Sequence, residues 1–117
     1  MAQTKIILLV DNEEVLRDAL AEQLLINGEF EVEQAGSARE ALSKVDQQDF
    51  DIIILDLDLP DTDGRELCRI MRKQNIRCPI IMLTGQYSDA DAILGPDAGI
   101  NDYITKPFKF PILLKRM

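Results

Sequence analysis

Asp56 stands where an uninterrupted apolar run, Ile52, Ile53, Ile54 and Leu55, gives way to the turn-rich segment Asp58, Leu59, Pro60, Asp61, Thr62, Asp63, Gly64. A carboxylate at the exit of a buried strand adds little to packing and is well placed for chemistry. Three further apolar runs also end in polar groups: Lys5 to Val10 in Asp11, Pro79 to Leu83 in Thr84, and Asp102 to Thr105 in Lys106. If these runs are parallel strands of one sheet, two acids, a hydroxyl and an amine converge at one edge.

The chemistry open to such a group is phosphoryl transfer. Ligands in doubly wound sheets sit beyond the carboxyl ends of the strands, where strand order reverses, and a first strand beside the third brings Asp11, Asn12 and Asp56 together there. Two or three oxygen donors of this kind suit Mg²⁺, which takes few carboxylates, several waters and a phosphate oxygen. The cation would neutralise charge on the transferring group and orient it. An Asp carboxylate can attack phosphorus to give an aspartyl phosphate. Lys106 would offer positive charge to the phosphoryl oxygens and Thr84 a hydroxyl donor, with Gly85 leaving space for the incoming group.

The elements needed to hold these residues follow from the pattern of the chain. Apolar runs alternate with stretches of helical period, as in repeated βαβ units with a parallel sheet. Lys5 to Val10 is continuously apolar after its first residue, as expected of a strand covered on both faces. Val15, Leu16, Ala19, Leu20 and Leu24 recur at helical spacing up to Gly28. Phe30 to Gln34 alternates weakly and predicts an edge strand. Ser37 with Glu40 forms a capping box ahead of Ala38, Ala41, Leu42 and Val45.

Ile52 to Leu55 predicts the third strand, and Asp63 caps a third helix whose inner face is Leu67, Cys68, Ile70 and Met71. Ile80 to Leu83 is the fourth strand; Ser88 with Asp91 opens a fourth helix, which Gly95-Pro96 should shorten. Tyr103 and Ile104 form a short fifth strand. Pro111 can occupy the first turn of a last helix, Ile112 to Met117. That helix is cut short, so the chain is expected to belong to something longer. Five helices, the last truncated, and five strands are therefore expected in one α/β domain spanning residues 1–117, without repeats or linkers.

Composition narrows the function. The 117 residues carry 46% hydrophobic and 29% charged side chains, ordinary for one globular domain. A net charge of −8 argues against direct nucleic-acid contact by this segment, which would need clustered Lys and Arg. No apolar run approaches the roughly 20 residues that span a bilayer. The N-terminus lacks the length and cleavage site of a signal peptide, so a cytoplasmic location is expected, with no membrane contact. Cys68 and Cys78, with no His in the chain, fit neither a redox pair nor a zinc site and are expected to pack as small hydrophobes. Without His there is also no Ser-His or Cys-His nucleophile.

Four dispersed segments resemble the receiver domain of a two-component response regulator. They are Ile7-Leu8-Leu9-Val10-Asp11-Asn12-Glu13, Ile54-Leu55-Asp56-Leu57-Asp58-Leu59-Pro60-Asp61-Thr62-Asp63-Gly64, Met82-Leu83-Thr84-Gly85 and Asp102-Tyr103-Ile104-Thr105-Lys106-Pro107-Phe108. The resemblance implies a flavodoxin-like sheet of order 2-1-3-4-5, like that of a chemotaxis receiver. It also implies a domain that is not an enzyme on external substrates but takes phosphate from a sensor histidine kinase onto Asp56. It then implies that Thr84 and Tyr103 act as switch residues, and that Asp58 offers its backbone carbonyl to the metal. The surface of the fourth helix, fifth strand and last helix would change, and could support a homodimer. Lys106-Pro107-Phe108-Lys109-Phe110 with Leu113-Leu114-Lys115-Arg116 further resembles receivers that precede a winged-helix DNA-binding output domain.

The sequence departs from that family at two positions. Receivers usually carry two adjacent acids after the first strand, and the second is Asn12 here; its oxygen can ligate a metal without bringing charge, or can cap the first helix. Asp58 is the other departure, an extra acid that would either restore the missing charge or repel the phosphoryl group. Asn12 motivates an alternative, a phosphorylation-independent dimerisation module. Asp56-Leu57-Asp58 motivates a more distant one, a haloacid-dehalogenase-like phosphatase, although Pro60 takes the place of the expected Thr or Val and there is little chain for a cap domain.

Overall fold

The continuous apolar runs become strands because each is buried on both sides. The computed structural model describes residues 4–26, 29–85 and 99–117. Along them run β1 (Lys5–Val10), α1 (Glu14–Ile26), β2 (Phe30–Ala35), α2 (Ala38–Gln47), β3 (Ile52–Asp56), α3 (Gly64–Lys73), β4 (Ile80–Thr84), β5 (Asp102–Thr105) and α4 (Phe110–Arg116). The helix expected after Ser88 and Asp91 lies outside the described residues. Among the described residues, no helix is long and apolar enough to cross a membrane.

All five strands are parallel, in the order β2-β1-β3-β4-β5 that the resemblance implied. Their ends are level: Val10 lies opposite Ala35 and Leu55, Asp56 opposite Leu83, and Thr84 opposite Thr105. Alternation along each strand sorts the core into two layers. Leu8, Val10, Ile53, Leu55, Ile80 and Met82 pack with Ala41 and Val45 of α2 and Leu67, Cys68 and Met71 of α3. Ile7, Leu9, Ile52, Ile54, Ile81, Leu83 and Ile104 pack with Leu20, Ala21 and Leu24 of α1 and Leu113 of α4. Fully burying one such aliphatic side chain contributes about 1.5–3 kcal/mol, so the sheet is the main store of stability.

α1 departs from its expected face. Leu20, Ala21 and Leu24 are buried, whereas Val15 is 84% exposed and Ala19 also faces solvent. The helix carries apolar residues on more than one side, including the exposed Leu25 and Ile26, so periodicity alone does not choose which side packs.

The caps explain the helix boundaries. Ser37 Oγ accepts the Glu40 N–H at 3.2 Å, and Asp63 Oδ1 accepts the Arg65 N–H at 2.7 Å, each satisfying a donor the first turn leaves open. On α3, Leu67, Cys68 and Met71 are buried as expected and Ile70 is half-buried. α4 starts at Phe110 rather than Ile112, with Pro111 in its first turn, where a missing N–H costs nothing. Cys68 is buried and Cys78 half-buried, both free thiols whose ionisation burial opposes.

At the amino edge of the sheet, Arg72 fastens three elements together. Its guanidinium donates to Ile76 O and Cys78 O before β4, and to Gly99 O and Asn101 Oδ1 before β5. Asn101 Oδ1 also accepts the Ile80 N–H, which starts β4.

Candidate functional site

The opposite edge of the sheet, where the strands end level, gathers the polar groups. Asp11 follows β1 and is 1% exposed; Asp56 closes β3 and is 4% exposed; Thr84 closes β4 and is fully buried. Lys106 follows β5, its N–H donating to Thr84 O at 2.6 Å, and the peptide bond to Pro107 that follows it is cis. Its ammonium reaches back over the sheet, 3.0 Å from Asp11 Oδ2, 3.4 Å from Asp56 Oδ1 and 3.8 Å from Glu13 Oε1. Asp11, Asp56 and Lys106 are therefore one cluster, drawn from positions as distant as 95 residues apart.

One cation among these carboxylates leaves surplus negative charge. Burial pushes the Asp56 carboxyl from 3.8 up to about 6, with the Asp11 charge adding to the rise and Lys106 opposing it. Burial alone would make Lys106 easier to deprotonate, yet its hydrogen bond to Asp11 and the charges of Asp11, Asp56 and Glu13 hold it above its ordinary value. The ammonium is thus fixed in its charged form beside a carboxylate that is unusually basic.

Hydrogen bonds also hold the loops that follow β1 and β3. Asp11 Oδ1 accepts the Glu13 N–H at 2.8 Å, and Arg17 Nη1 donates to Asp11 O at 2.7 Å while its Nε donates to Gln34 at 2.9 Å. The oxygen turned toward the start of α1 belongs to Asp11, while Asn12 is exposed, which corrects the alternative of Asn12 as that helix's cap. After β3, Leu57 donates to Leu83 O, Gly64 donates to Leu57 O at 2.7 Å, and Asp58 bridges to Asp63. A Cβ on Gly64 would lie 2.5 Å from Asp56 O and 2.9 Å from Leu57 Cα, so only glycine lets α3 begin against Asp56. Asp58 is exposed, and its N–H lies 3.4 Å from Asp56 Oδ1.

Thr84 stands at the same edge, paired with Thr105 in register. Tyr103 is half-buried on β5, opposite Met82, and packs against the layer that contains α2 and α3. The sequence reading missed Glu13, Arg17 and Asp61. Asp61 accepts the Ala38 and Arg39 N–H groups, which hold its carboxyl below the usual carboxylate range. Only Asp61 carried a sequence signal, an acid in a turn-rich segment, and that signal says nothing of its distant partner.

The donor set fits a hard cation. Among the described residues no cluster of three or more His, Cys, Asp or Glu side chains is arranged for a metal. Two buried carboxylates nevertheless match the one or two that Mg²⁺ takes while keeping water, and a cation would offset the burial, and after it the Asp11 charge, that raise the Asp56 carboxyl.

Known proteins share this fold. A family model for the response regulator receiver domain matches residues 7–117. The response regulator MprA of Mycolicibacterium vanbaalenii is 40% identical over 111 residues, covering 95% of this chain and 48% of that protein. The alkaline phosphatase synthesis transcriptional regulatory protein PhoP of Bacillus subtilis is 41% identical over 104 residues, covering 89% and 43%. The chain thus spans about half the length of the curated relatives it matches. Among solved structures, the chemotaxis response regulator CheY4 of Vibrio cholerae superposes with a TM-score of 0.88 at 33% identity, covering 97% of this chain and 96% of that one. The response regulator TrrA of Thermotoga maritima, solved in complex with Mg²⁺-BeF, gives 0.85 at 31%, covering 97% and 96%. With five parallel strands in the shared order and acids and a lysine at their carboxyl ends, this chain belongs to the response regulator receiver domain family.

Proposed function

We propose that this domain is a phosphorylation-dependent signalling switch that accepts a phosphoryl group on Asp56 from a sensor histidine kinase. The observation that carries the reading is the Lys106 ammonium set between Asp11 and Asp56 at a buried strand end. Asp56 attacks phosphorus, a new Oδ–P bond forms, and the donor's bond to phosphorus breaks with its electron pair leaving on the donor. Asp56 with a carboxyl near 6 is still mostly ionised at neutral pH, and its basicity makes it a better nucleophile than an ordinary aspartate. Lys106 stays charged throughout and balances the oxygens arriving on phosphorus. Thr84 supplies a hydroxyl to one of those oxygens.

Asp11, Asn12, Asp56 and the Asp58 carbonyl would hold Mg²⁺, which supplies charge neutralisation for the incoming phosphoryl group. Once formed, the phosphoryl dianion at Asp56 favours a state in which Thr84 and Tyr103 are repositioned. PhoP of Bacillus subtilis and TcrA of Mycobacterium tuberculosis, named as transcriptional regulatory proteins and more than twice as long as the stretch they share with this chain, support the reading of a DNA-binding output domain attached to this one. The homodimer surface would use β5 and α4 together with the segment after Ser88, for which the sequence predicts a helix.

The test is incubation with Mg²⁺ and acetyl phosphate followed by intact mass analysis. One alkali-labile phosphoryl addition, absent from Asp56→Asn, is expected. Addition that persists in Asp56→Asn would move the site elsewhere, and no addition to the wild type would favour the phosphorylation-independent dimerisation module.

A further inference from the structure

We propose that Asp61 is a positioning residue for the Asp56 site, clamping the loop that follows β3 onto the first turn of α2. Its two carboxylate oxygens accept the N–H groups of Ala38 at 2.9 Å and Arg39 at 3.0 Å, across 23 and 22 residues of sequence. α2 already has its own local cap, Ser37 on the Glu40 N–H. The second cap reaches from another loop, so it fixes that loop as much as the helix.

The loop is also closed at its base, by the Asp58–Asp63 bridge and the Gly64 to Leu57 hydrogen bond, and Leu59 packs against the layer that holds α2 and α3. Asp61 ties down the far end. Asp58 belongs to the base of the loop, and the contact of its N–H with Asp56 Oδ1 is long at 3.4 Å and so easily lost. Release of Asp61 lets Asp58 move away and lets the Asp56 carboxylate turn, and with it the oxygen that would meet a cation or phosphorus. The functional consequence rests on the phosphoacceptor reading given above.

The experiment uses the whole 117-residue chain, ¹⁵N-labelled, as wild type, Asp61→Ala, Asp61→Asn and Ser37→Ala. Amide hydrogen exchange, thermal midpoint and a titration with MgCl₂ alone are recorded for each. Asp61→Ala should speed exchange at Ala38, at Arg39 and also at Gly64, and weaken Mg²⁺ binding about tenfold, the range in which groups that orient metal ligands act. Asp61→Asn, which keeps one acceptor oxygen, should recover part of both effects. Ser37→Ala should lower the thermal midpoint while leaving Gly64 exchange and Mg²⁺ affinity at wild-type values.

Loss of protection in Asp61→Ala confined to Ala38 and Arg39, with Gly64 and Mg²⁺ affinity unchanged, would reduce Asp61 to a helix cap and overturn the proposal. Equal weakening of Mg²⁺ binding in Ser37→Ala would overturn it as well, because the effect would then come from α2. Failure of the phosphoacceptor reading shows separately, as a wild type that takes no phosphoryl group from acetyl phosphate. In that event Gly64 exchange alone decides whether Asp61 positions the loop.

Discussion

A carboxyl that ionises near 6 in the folded chain and at 3.8 when unfolded makes Asp56 a source of instability at neutral pH. Below 3.8 both states are protonated and the folded form keeps its full advantage; that advantage is lost as pH rises through about 6. Asp56→Asn should therefore stabilise the cation-free domain at pH 7 by roughly 1–3 kcal/mol, a gain that shrinks to nothing toward pH 4. Urea unfolding in EDTA across that range measures it. Lys106→Met should act in the opposite sense, leaving buried carboxylates without a counter-charge and costing about 1–3 kcal/mol at pH 7, less at pH 5. Asn12→Asp should restore a charged oxygen and tighten Mg²⁺ binding about three- to tenfold in a titration. Asp11, Asp56, Thr84 and Lys106 were legible because each ends an apolar run, and a polar group there has no packing role. Glu13, Arg17 and Asp61 were not, since nothing local announces a partner that only the folded register brings within reach.

At the scale of elements, strands were easier to foresee than helix faces. A strand buried on both sides is apolar up to its last residue, so Ile52 to Leu55 could be read directly. α1 distributes apolar residues around its circumference, so the exposure of Val15 was settled by packing against β1 and β2 rather than by its own pattern. α3 is positioned by a single missing methyl. Gly64→Ala would push a Cβ into the backbone at Asp56 and Leu57, costing about 1–3 kcal/mol and shifting the helix away from the site. Circular dichroism melts would show the loss, and acetyl phosphate uptake should slow with it.

For the whole molecule, the parallel sheet separates two tasks. The layers against α2 with α3 and against α1 with α4 hold the fold, and Ile53→Ala and Ile54→Ala, which empty opposite layers, should each cost about 2–5 kcal/mol in denaturant unfolding without abolishing phosphoryl uptake. The level strand ends set a different constraint, one of counting. Thr84 lies opposite Thr105, and Lys106 is the next residue along; Val10 lies opposite Leu55, and Asp11 and Asp56 are the next along those strands. Side chains alternate faces at every step, so a single residue gained or lost within β5 would carry Lys106 to the other face of the sheet with its chemistry intact and its partners out of reach. The number of residues between Asp102 and Lys106 is thus as much a part of the site as the lysine, although substitutions among them touch no reacting atom.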